Sequence, residues 1–285
     1  MPGPYGLTGN LGCREASGLL CFCLAMEKVR AIRITRWRED EAEELEDLVV
    51  REAPLTIQVN GQELATLLCS PYDLRELTLG FLLSEGILKP SDPVPEVEVN
   101  EPGGYAQVTL ARDLGPELSR TLSRLVGSGC AALAAFYRGA DARDARPIQS
   151  RLLVTRPAIW ALMKAFQAKS ELYRRTGGLH AVALATAGGE MVAFHEDIGR
   201  HNALDRIIGR AYLQRQSLCD RIALTSGRLT SEIVVKAAKA EIPILISRSA
   251  PTDLAVGLAE KLSLTLVGFV RGKRLNIYSG AERVR

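Results

Sequence analysis

Cys130 lies in a run of small residues, Gly127-Ser128-Gly129-Cys130-Ala131-Ala132, just after a stretch with helical periodicity at residues 116–125. Small neighbours leave a thiol open to approach, and glycines let the backbone turn tightly. Adjacent N–H groups favour the thiolate, which is the reactive form of cysteine. These properties predict a nucleophile. The alternative is that Cys130 is a small buried apolar side chain, as most lone cysteines are.

Two loops of similar composition each follow a predicted strand and precede a predicted helix. The first is Ser226-Gly227-Arg228-Leu229-Thr230-Ser231, and the second is Ser247-Arg248-Ser249-Ala250-Pro251-Thr252. Each offers hydroxyls, free N–H groups at a helix start and one arginine, and this combination favours phosphate or another anion. Ordinary helix capping by Thr230 and Thr252 is the alternative for either loop alone. Two such loops in succession favour an anion site.

A third polar segment, residues 194–202, contains His195 and His201, and the third histidine of the chain, His180, lies nearby. Two imidazoles six residues apart across a turn match no common zinc spacing, and no Cys-x-x-Cys pair accompanies them. Glu196 and Asp197 also suit the start of a helix. We therefore expect no metal here. The segment is predicted to hold a polar substrate or to orient the loop that carries the thiol.

The elements that must position these residues are indicated by the hydrophobic pattern. Predicted strands and helices alternate from residue 156 to residue 278, at a spacing typical of a three-layer α/β sandwich with a largely parallel sheet. In open sheets of this kind, ligands bind beyond the carboxyl ends of the parallel strands. Both serine-containing loops fall at such ends.

The first half of the chain is predicted to form a smaller α+β subdomain. It contains hairpins around Asn60-Gly61 and Gly103-Gly104 and a helix that starts at Ser70-Pro71. We expect three regions: a disordered extension at 1–40, entering a solvated acidic run at 39–47; the N-terminal subdomain with the Cys130 loop at 41–150; and the α/β domain at 151–285. Residues 1–25 are expected to lie upstream of the true start at Met26.

Charge and cysteine usage bound the function. The net charge is +3, and acidic and basic residues are dispersed, so a broad nucleic-acid or membrane footprint is not indicated. The six cysteines have neither a metal-ligand spacing nor the density of a secreted disulfide scaffold, which favours the reducing cytoplasm. No apolar run is long enough to span a bilayer.

Six segments of the chain match the motifs of one known family. They are Leu79-Gly80-Phe81-Leu82-Leu83-Ser84-Glu85-Gly86-Ile87-Leu88, Thr176-Gly177-Gly178-Leu179-His180, Glu196-Asp197-Ile198-Gly199-Arg200-His201-Asn202-Ala203-Leu204-Asp205, Ser226-Gly227-Arg228, Ser249-Ala250-Pro251-Thr252, and the run from Thr265 to Tyr278. With these segments in this order, the chain resembles the formate dehydrogenase accessory sulfurtransferase family (FdhD) from about residue 50 to residue 280.

The resemblance implies a fold similar to that of cytidine deaminases. Deamination is not expected, because the chain lacks the His-x-Glu and Pro-Cys-x-x-Cys zinc signature. The family takes sulfur from a cysteine desulfurase as a persulfide and transfers it to the molybdenum or tungsten bis(molybdopterin guanine dinucleotide) cofactor, before that cofactor enters formate dehydrogenase. The resemblance therefore implies a sulfurtransferase that holds this cofactor as a bound substrate, serves formate dehydrogenase and forms a homodimer.

The resemblance also assigns site residues. Cys130 matches the persulfide-bearing position, and Phe269-Val270-Arg271-Gly272-Lys273-Arg274 matches the segment assigned to cofactor binding, where three cations suit several phosphates. From the anion loops, the predicted cofactor site adds Ser226, Gly227, Arg228 and Ser249.

One departure from the family pattern concerns the thiol loop. Many members carry a Cys-x-x-Cys pair there, whereas the partner position in this chain is Leu133, so release of sulfur by a second internal thiol is in doubt. Two alternatives stay open. One is a cofactor-binding chaperone that performs no chemistry, and the other, based on the histidines, is a metal-dependent hydrolase.

Overall fold

The structure is a computed structural model that describes residues 28–112 and 145–285. Cys130 and the helix predicted at residues 116–125 lie outside the described residues. The chain divides into two compact units, Met1–Arg51 and Glu52–Arg285. No helix within the two described ranges is long and apolar enough to cross a membrane.

The described part of the first unit is an antiparallel two-stranded ribbon. Strand β1 is Val29–Arg38 and strand β2 is Glu41–Val50, paired from Val29 with Val50 to Arg38 with Glu41. The prediction of disorder up to residue 40 was therefore wrong for residues 29–38. The acidic run at 39–47 is mostly exposed, as a solvated run requires, but it forms most of a strand. The run can form a strand because none of its acidic residues lies opposite another acid, and several lie opposite arginines, for example Glu43 opposite Arg36.

The second unit begins with a four-stranded sheet and one helix. The strands have the order β4-β3-β6-β5, and their turns at Asn60-Gly61 and Gly103-Gly104 confirm the two predicted hairpins. The helix starts at Leu74 rather than at Ser70-Pro71, and it ends at Gly86, whose φ of 80° suits glycine. The bounds are β3 Ala53–Val59, β4 Gln62–Cys69, α1 Leu74–Glu85, β5 Glu96–Asn100 and β6 Tyr105–Thr109.

A six-stranded sheet of order β12-β11-β10-β9-β7-β8 forms the centre of the second unit. Of its five strand pairs, only β9–β10 and β10–β11 are parallel, so the sheet is mixed rather than largely parallel. The reason is that β7–β8 and β11–β12 are joined by short turns, which force antiparallel pairing. The strands are β7 His180–Ala185, β8 Met191–Asp197, β9 Ile222–Thr225, β10 Ile244–Ser247, β11 Thr265–Arg271 and β12 Arg274–Ser279.

Helices cover both faces of this sheet, as the predicted layers require. Along β7, Ala181 and Ala183 belong to a core cluster with helix α2, whereas Val182 and Leu184 belong to the larger cluster shared with α1, α4, α5 and α6. The helices of this half are α2 Arg156–Lys169, α3 Glu171–Thr176, α4 Arg200–Leu213, α5 Ser231–Lys239, α6 Asp253–Lys261 and a 3₁₀ turn at Ala281–Arg283.

Helices α1 and α4 touch through their backbones at two glycines. A Cβ atom added to Gly80 would overlap the carbonyl oxygen of Asp205, and one added to Gly209 would overlap that of Glu76. Only glycine allows this approach. Because α1 precedes and α4 follows residue 150, the domain boundary predicted there differs from the observed division, which falls after Arg51.

Candidate functional site

Two loops lie side by side beyond the carboxyl ends of the parallel strands β9 and β10. They comprise residues 226–230 and 248–252. The N–H of Leu229 donates to the carbonyl of Ala250 at 3.0 Å, and the N–H of Thr252 donates to the carbonyl of Leu229 at 3.0 Å. The loops therefore form one surface at the edge of the sheet where the α/β architecture places ligands.

Serine side chains tie these loops to each other and to strand β11. The Ser247 hydroxyl donates to the carbonyl of Gly227 at 2.7 Å and accepts the N–H of Ser249 at 2.9 Å. The Ser249 hydroxyl donates to the carbonyl of Ser226 at 3.2 Å, and the Ser249 carbonyl accepts the N–H of Phe269 at 3.1 Å. The structure thus brings together four predicted cofactor-binding residues: Ser226, Gly227, Ser249 and Phe269. We call loops 226–230 and 248–252, with the β11–β12 turn at 269–274, the loop cluster.

The β11–β12 turn presents an aromatic ring with two cations. Phe269 has a φ of 52°, in the left-handed region that non-glycine residues seldom occupy, and the pairing register with β12 shifts between Gly268 and Arg271. The guanidinium carbons of Arg271 and Arg274 each lie 5.8 Å from the centre of the Phe269 ring, within cation–π range. This geometry suits a ligand that combines phosphates with a planar ring.

The other predicted residues separate into a charged rim and a buried support. Val270 is only 1% exposed and packs in the core cluster that includes α2, so its side chain supports the turn from inside. The rim consists of the exposed residues Arg228, Arg271, Gly272, Lys273 and Arg274. Four exposed cations therefore belong to the loop cluster.

The starts of helices α5 and α6 differ in how their threonines are used. The Thr252 hydroxyl accepts the N–H of Ala255 at 3.3 Å, which is ordinary capping and confirms that alternative for the second loop. Thr230 holds the same position before α5, yet its buried hydroxyl has no hydrogen-bond partner among the described residues. A buried hydroxyl without a partner favours a polar ligand at the first loop.

Arg200 and His180 flank the first loop. A Cβ added to Gly227 would lie 3.0 Å from the Cβ of Arg200 and 3.1 Å from its Cδ, so glycine lets the Arg200 stem lie against the loop. His180 Nδ1 is 3.4 Å from the Ser226 hydroxyl oxygen, which also accepts the N–H of Ala181 at 3.0 Å. Burial, and then the positive charge of Arg200, lowers the pKa of His180, so the ring is neutral at pH 7.

A mostly buried pair, His201 and Glu232, joins the first turns of α4 and α5. His201 Nε2 lies 3.4 Å from Glu232 Oε2. Burial, reinforced by the charges of Lys236 and Arg200, lowers the pKa of His201 to about 2. Burial raises the pKa of Glu232 to about 7, although Lys236 opposes the shift. The contact therefore joins a neutral imidazole to a carboxyl group that titrates near neutrality.

The polar segment 194–202 makes several hydrogen bonds within itself and to the end of β4. Asp197 accepts the N–H of Gly199 at 2.9 Å, the amide of Asn202 at 3.0 Å and the N–H of Ser70 at 3.1 Å. The first of these bonds places a carboxylate at the start of α4, as predicted. Whether the segment also orients the loop of Cys130 stays a prediction, because that loop lies outside the described residues.

Two of the three histidines each pair with a single carboxylate. His195 Nδ1 lies 3.5 Å from Asp73 Oδ2, and His201 contacts Glu232. Within residues 28–112 and 145–285, no three His, Cys, Asp or Glu side chains form a group that could hold a metal ion.

The structure describes two of the six cysteines. Cys69 is buried, and burial raises the pKa of its thiol to about 12, so it is a poor nucleophile. Cys219 is exposed, and its sulfur lies 3.1 Å from the Ser217 hydroxyl oxygen. It provides a natural control for experiments on Cys130.

Arg200, His180 and Glu232 were not among the predicted cofactor-binding residues. Arg200 and His180 belong to motifs that were recognised, but their proximity to the first loop depends on the pairing of β7 with β9 and on the contact with Gly227. Glu232 in the first turn of α5 has the appearance of an ordinary helix-start acid. Its burial beside His201 had no signal in the sequence.

The chain is similar to a known protein family and to individual members of it. The model of the FdhD/NarQ family matches residues 50–285. "Sulfur carrier protein FdhD" of Staphylococcus haemolyticus (strain JCSC1435) is 38% identical over 252 residues, covering 88% of this chain and 95% of the relative. The protein of that name from Staphylococcus aureus (strain MRSA252) is 41% identical over 251 residues, covering 88% and 94%.

A solved structure is also similar. The crystal structure of a candidate formate dehydrogenase accessory protein from Desulfotalea psychrophila matches with a TM-score of 0.74 and 26% identity, covering 90% of this chain and 99% of that one. The family match spans both sheets of the second unit and all three segments of the loop cluster. The chain belongs to the FdhD/NarQ family.

Proposed function

We propose that the protein is a sulfur carrier for formate dehydrogenase. It accepts sulfur from a cysteine desulfurase as a persulfide on Cys130 and transfers it to the molybdenum or tungsten bis(molybdopterin guanine dinucleotide) cofactor, which is its substrate. The names of its relatives support this role. We place the activity in the cytoplasm, in a homodimer, on a fold related to that of cytidine deaminases.

The observation that supports the proposal most is the joining of three loops into one cationic surface. A ligand with several phosphates needs N–H groups, hydroxyls and cations together. The loop cluster offers the unpartnered hydroxyl of Thr230 at the start of α5 and the two guanidinium groups beside the Phe269 ring. A guanine dinucleotide carries both phosphates and planar rings. The hydroxyl and the cations suit its phosphates, and the Phe269 ring suits its planar rings.

Loading of the thiol is a disulfide-type exchange. The Cys130 thiolate attacks the outer sulfur of the donor persulfide, the sulfur–sulfur bond of the donor breaks, and the donor cysteine leaves as a thiolate. Cys130 then carries the outer sulfur as its own persulfide. No electrons are gained or lost overall, and no general base is required if the thiol is already ionised.

Delivery breaks the new sulfur–sulfur bond and returns Cys130 to the thiolate. The transferred atom leaves at the oxidation level of elemental sulfur, so its capture as a sulfide ligand consumes two electrons, which the metal centre or an external thiol supplies. A resolving cysteine at the position of Leu133 is absent from this chain. The acceptor itself must therefore attack the persulfide.

Mass spectrometry of the Cys130 peptide tests the chemical step. After incubation with a cysteine desulfurase and free cysteine, we expect the mass of one added sulfur on that peptide, and loss of formate dehydrogenase rescue in Cys130→Ala. Cys219→Ala is the matched control, because that thiol is exposed and belongs to no part of the loop cluster. An unmodified Cys130 peptide together with full rescue by Cys130→Ala would exclude the persulfide.

A chaperone that carries the cofactor without chemistry is the second candidate. The specific observation in its favour is that the loop cluster contains donors and cations independently of any cysteine. This candidate predicts that rescue depends on Arg228, Arg271 and Arg274 but not on Cys130. The two functions therefore separate cleanly in the Cys130→Ala variant.

Guanosine diphosphate serves as a probe of the loop cluster. We expect calorimetry to show binding that weakens by about tenfold or more in Arg271→Ala and Arg274→Ala, because each loses a charge-assisted contact. Arg210→Ala is the matched control, since this exposed arginine lies in the last turn of α4, remote from Arg200 at its start. Equal affinity in all three variants would show that the β11–β12 turn does not bind the probe.

A further inference from the structure

A cavity of about 270 Å³ lies where helices α4 and α5 end, beside the connection that follows α1. Much of its wall is apolar and is contributed by Leu83, Pro90, Ile208, Ala211 and Leu218. Four of these side chains are buried, and Pro90 is exposed in the connection. An apolar cavity of about 150 Å³ already holds a molecule of benzene, so this cavity has room for a ring or a short chain.

This cavity lies away from the loop cluster. Helix α5 starts at Ser231, directly after the first loop, and runs for nine residues, or about 13 Å, before it ends at Lys239 beside the cavity. Helix α4 starts at Arg200, next to Gly227, and its 14 residues carry the chain about 20 Å from that loop. Among the described residues that line the cavity, none belongs to the loop cluster.

Arg215 lines this cavity as a cation that the fold holds in place. Its Nη1 donates to the carbonyl of Asp92 at 2.9 Å, and its guanidinium carbon lies 5.5 Å from the centre of the Tyr212 ring. The Tyr212 hydroxyl donates to the same carbonyl at 3.0 Å, which fixes the ring. Within residues 28–112 and 145–285, no carboxylate forms an ion pair with Arg215. A fixed guanidinium without a counter-charge suits a carboxylate ligand.

The lysines of the cavity wall are engaged by other groups of the fold. Lys236 Nζ lies 2.6 Å from a carboxylate oxygen of Asp205 and 3.6 Å from one of Glu85, so its charge is balanced inside the protein. Lys239 Nζ donates to a backbone carbonyl of α1 at 2.9 Å. We therefore assign the charge of a ligand to Arg215.

We propose that the cavity binds a small carboxylate with a short apolar body. The carboxylate pairs with Arg215, which is exposed, and the apolar body fills the space beside Ile208 and Ala211, where its burial drives binding. An inorganic anion would leave that space empty, and an organic cation would be repelled by Arg215 and Lys239. The proposal goes beyond sulfur transfer and does not depend on it.

Octanoate is the probe for this site, and octanol, which has the same chain length without a charge, is its comparison. Calorimetry on the full chain should show octanoate binding that weakens by about tenfold or more in Arg215→Gly, whereas octanol binding should change by less than about twofold. Arg215 has a φ of 52°, in the region that favours glycine, so the variant should unfold at nearly the native temperature. Weaker octanoate binding would then reflect the missing guanidinium rather than unfolding.

Glu241→Gly is the matched control. Glu241 is an exposed acid on the wall of the same cavity, just after α5, and its φ of 60° also suits glycine. Because this variant removes a negative charge, octanoate should bind to it as tightly as to the native protein or more tightly. A loss of affinity equal to that of Arg215→Gly would overturn the pairing of the carboxylate with Arg215.

A third variant and a competition experiment test where the probe binds. Ala240 lines the cavity at the end of α5, so the larger side chain of Ala240→Leu should weaken the binding of both octanoate and octanol. Saturating guanosine diphosphate, the probe of the loop cluster, should not displace octanoate. Absence of octanoate binding to the native protein, or its displacement by guanosine diphosphate, would overturn the proposal. Neither result would alter the outcome of the persulfide assay on Cys130.

Discussion

Arg206 contacts one carboxylate oxygen of Asp197 through two nitrogens, Nε at 2.9 Å and Nη2 at 2.6 Å, and neither side chain is exposed to solvent. The same guanidinium donates to the backbone carbonyls of Ser70, at 2.6 Å, and of Asp73, at 3.0 Å. One arginine of α4 therefore joins the end of β8 to the connection between β4 and α1.

Removal of this arginine should destabilise the fold strongly. Arg206→Met leaves the Asp197 carboxylate buried without its cation, and we expect the free energy of unfolding to fall by about 3–5 kcal/mol in urea titrations. Arg210→Met, at an exposed position of the same helix, should cost less than about 1 kcal/mol. Similar losses of unfolding free energy in the two variants would mean that the buried Arg206–Asp197 pair contributes no more to stability than an exposed arginine.

Glu232 should make stability fall as pH rises towards neutrality. Its pKa is raised from 4.5 to about 7 in the folded protein, so between these values the folded state retains a proton that the unfolded chain has released. Glu232→Gln has no proton to lose in this range, so its stability does not fall for this reason. From pH 4.5 to pH 7, urea titrations should show the stability of the variant rising relative to the native protein by roughly 2–4 kcal/mol.

His201 produces the opposite slope at lower pH. Its pKa is lowered from 6.5 to about 2, so the folded state binds fewer protons over that range and stability rises with pH. Both proteins retain His201, so its contribution largely cancels when the two are compared. Glu260→Gln, at an exposed position of α6, is the control for loss of a charge. A difference that does not change with pH would show that Glu232 is not perturbed.

The two threonines before α5 and α6 should respond differently to removal of their hydroxyls. Thr252→Ala breaks a capping bond and should cost about 1 kcal/mol in thermal or urea unfolding. Thr230→Ala removes a hydroxyl that has no partner among the described residues and should leave stability nearly unchanged. If the first loop binds the probe, Thr230→Ala should nevertheless weaken guanosine diphosphate binding. Equal stability losses would indicate that Thr230 caps α5 after all.

The glycine contact between α1 and α4 should be intolerant of a single methyl group. Gly80→Ala forces its Cβ into the carbonyl of Asp205, and we expect a loss of several kcal/mol or no folded protein at all. Gly257→Ala in α6 is the matched control, because its Cβ would have no atom within 4 Å. That substitution should stabilise the protein by about 0.5–1 kcal/mol, since alanine favours helix. Circular dichroism during heating measures both effects.

The sequence predicted local structure well where turn-forming residues such as glycine and asparagine mark the ends of strands. Asn60-Gly61 and Gly103-Gly104 mark hairpins that are present, and the strand and helix order after residue 156 is as expected. Pairing partners were harder to predict. Strand β7 lies antiparallel to β9, and nothing local to either strand specifies that neighbour. The acidic strand β2 was missed because its charges make sense only opposite β1.

The candidate site was predictable as far as residue types and loop positions allow. Ser226, Gly227, Ser249 and Phe269 do come together, because strand ends of a parallel core share an edge. The left-handed backbone of Phe269 and the orphaned hydroxyl of Thr230 were not predictable, since both depend on how the loops pack. The role of Cys130 stays a prediction, because this residue lies outside the described residues.

Contact between Gly80 and Gly209 also limits how the chain can change length. One inserted residue rotates the remainder of a helix by about 100°, so an insertion within α1 or α4 would replace a glycine at the crossing with a bulkier neighbour. Insertions and deletions in related chains should therefore accumulate in the connections at residues 86–95 and 214–221, and the spacing from Leu74 to Gly80 should be invariant.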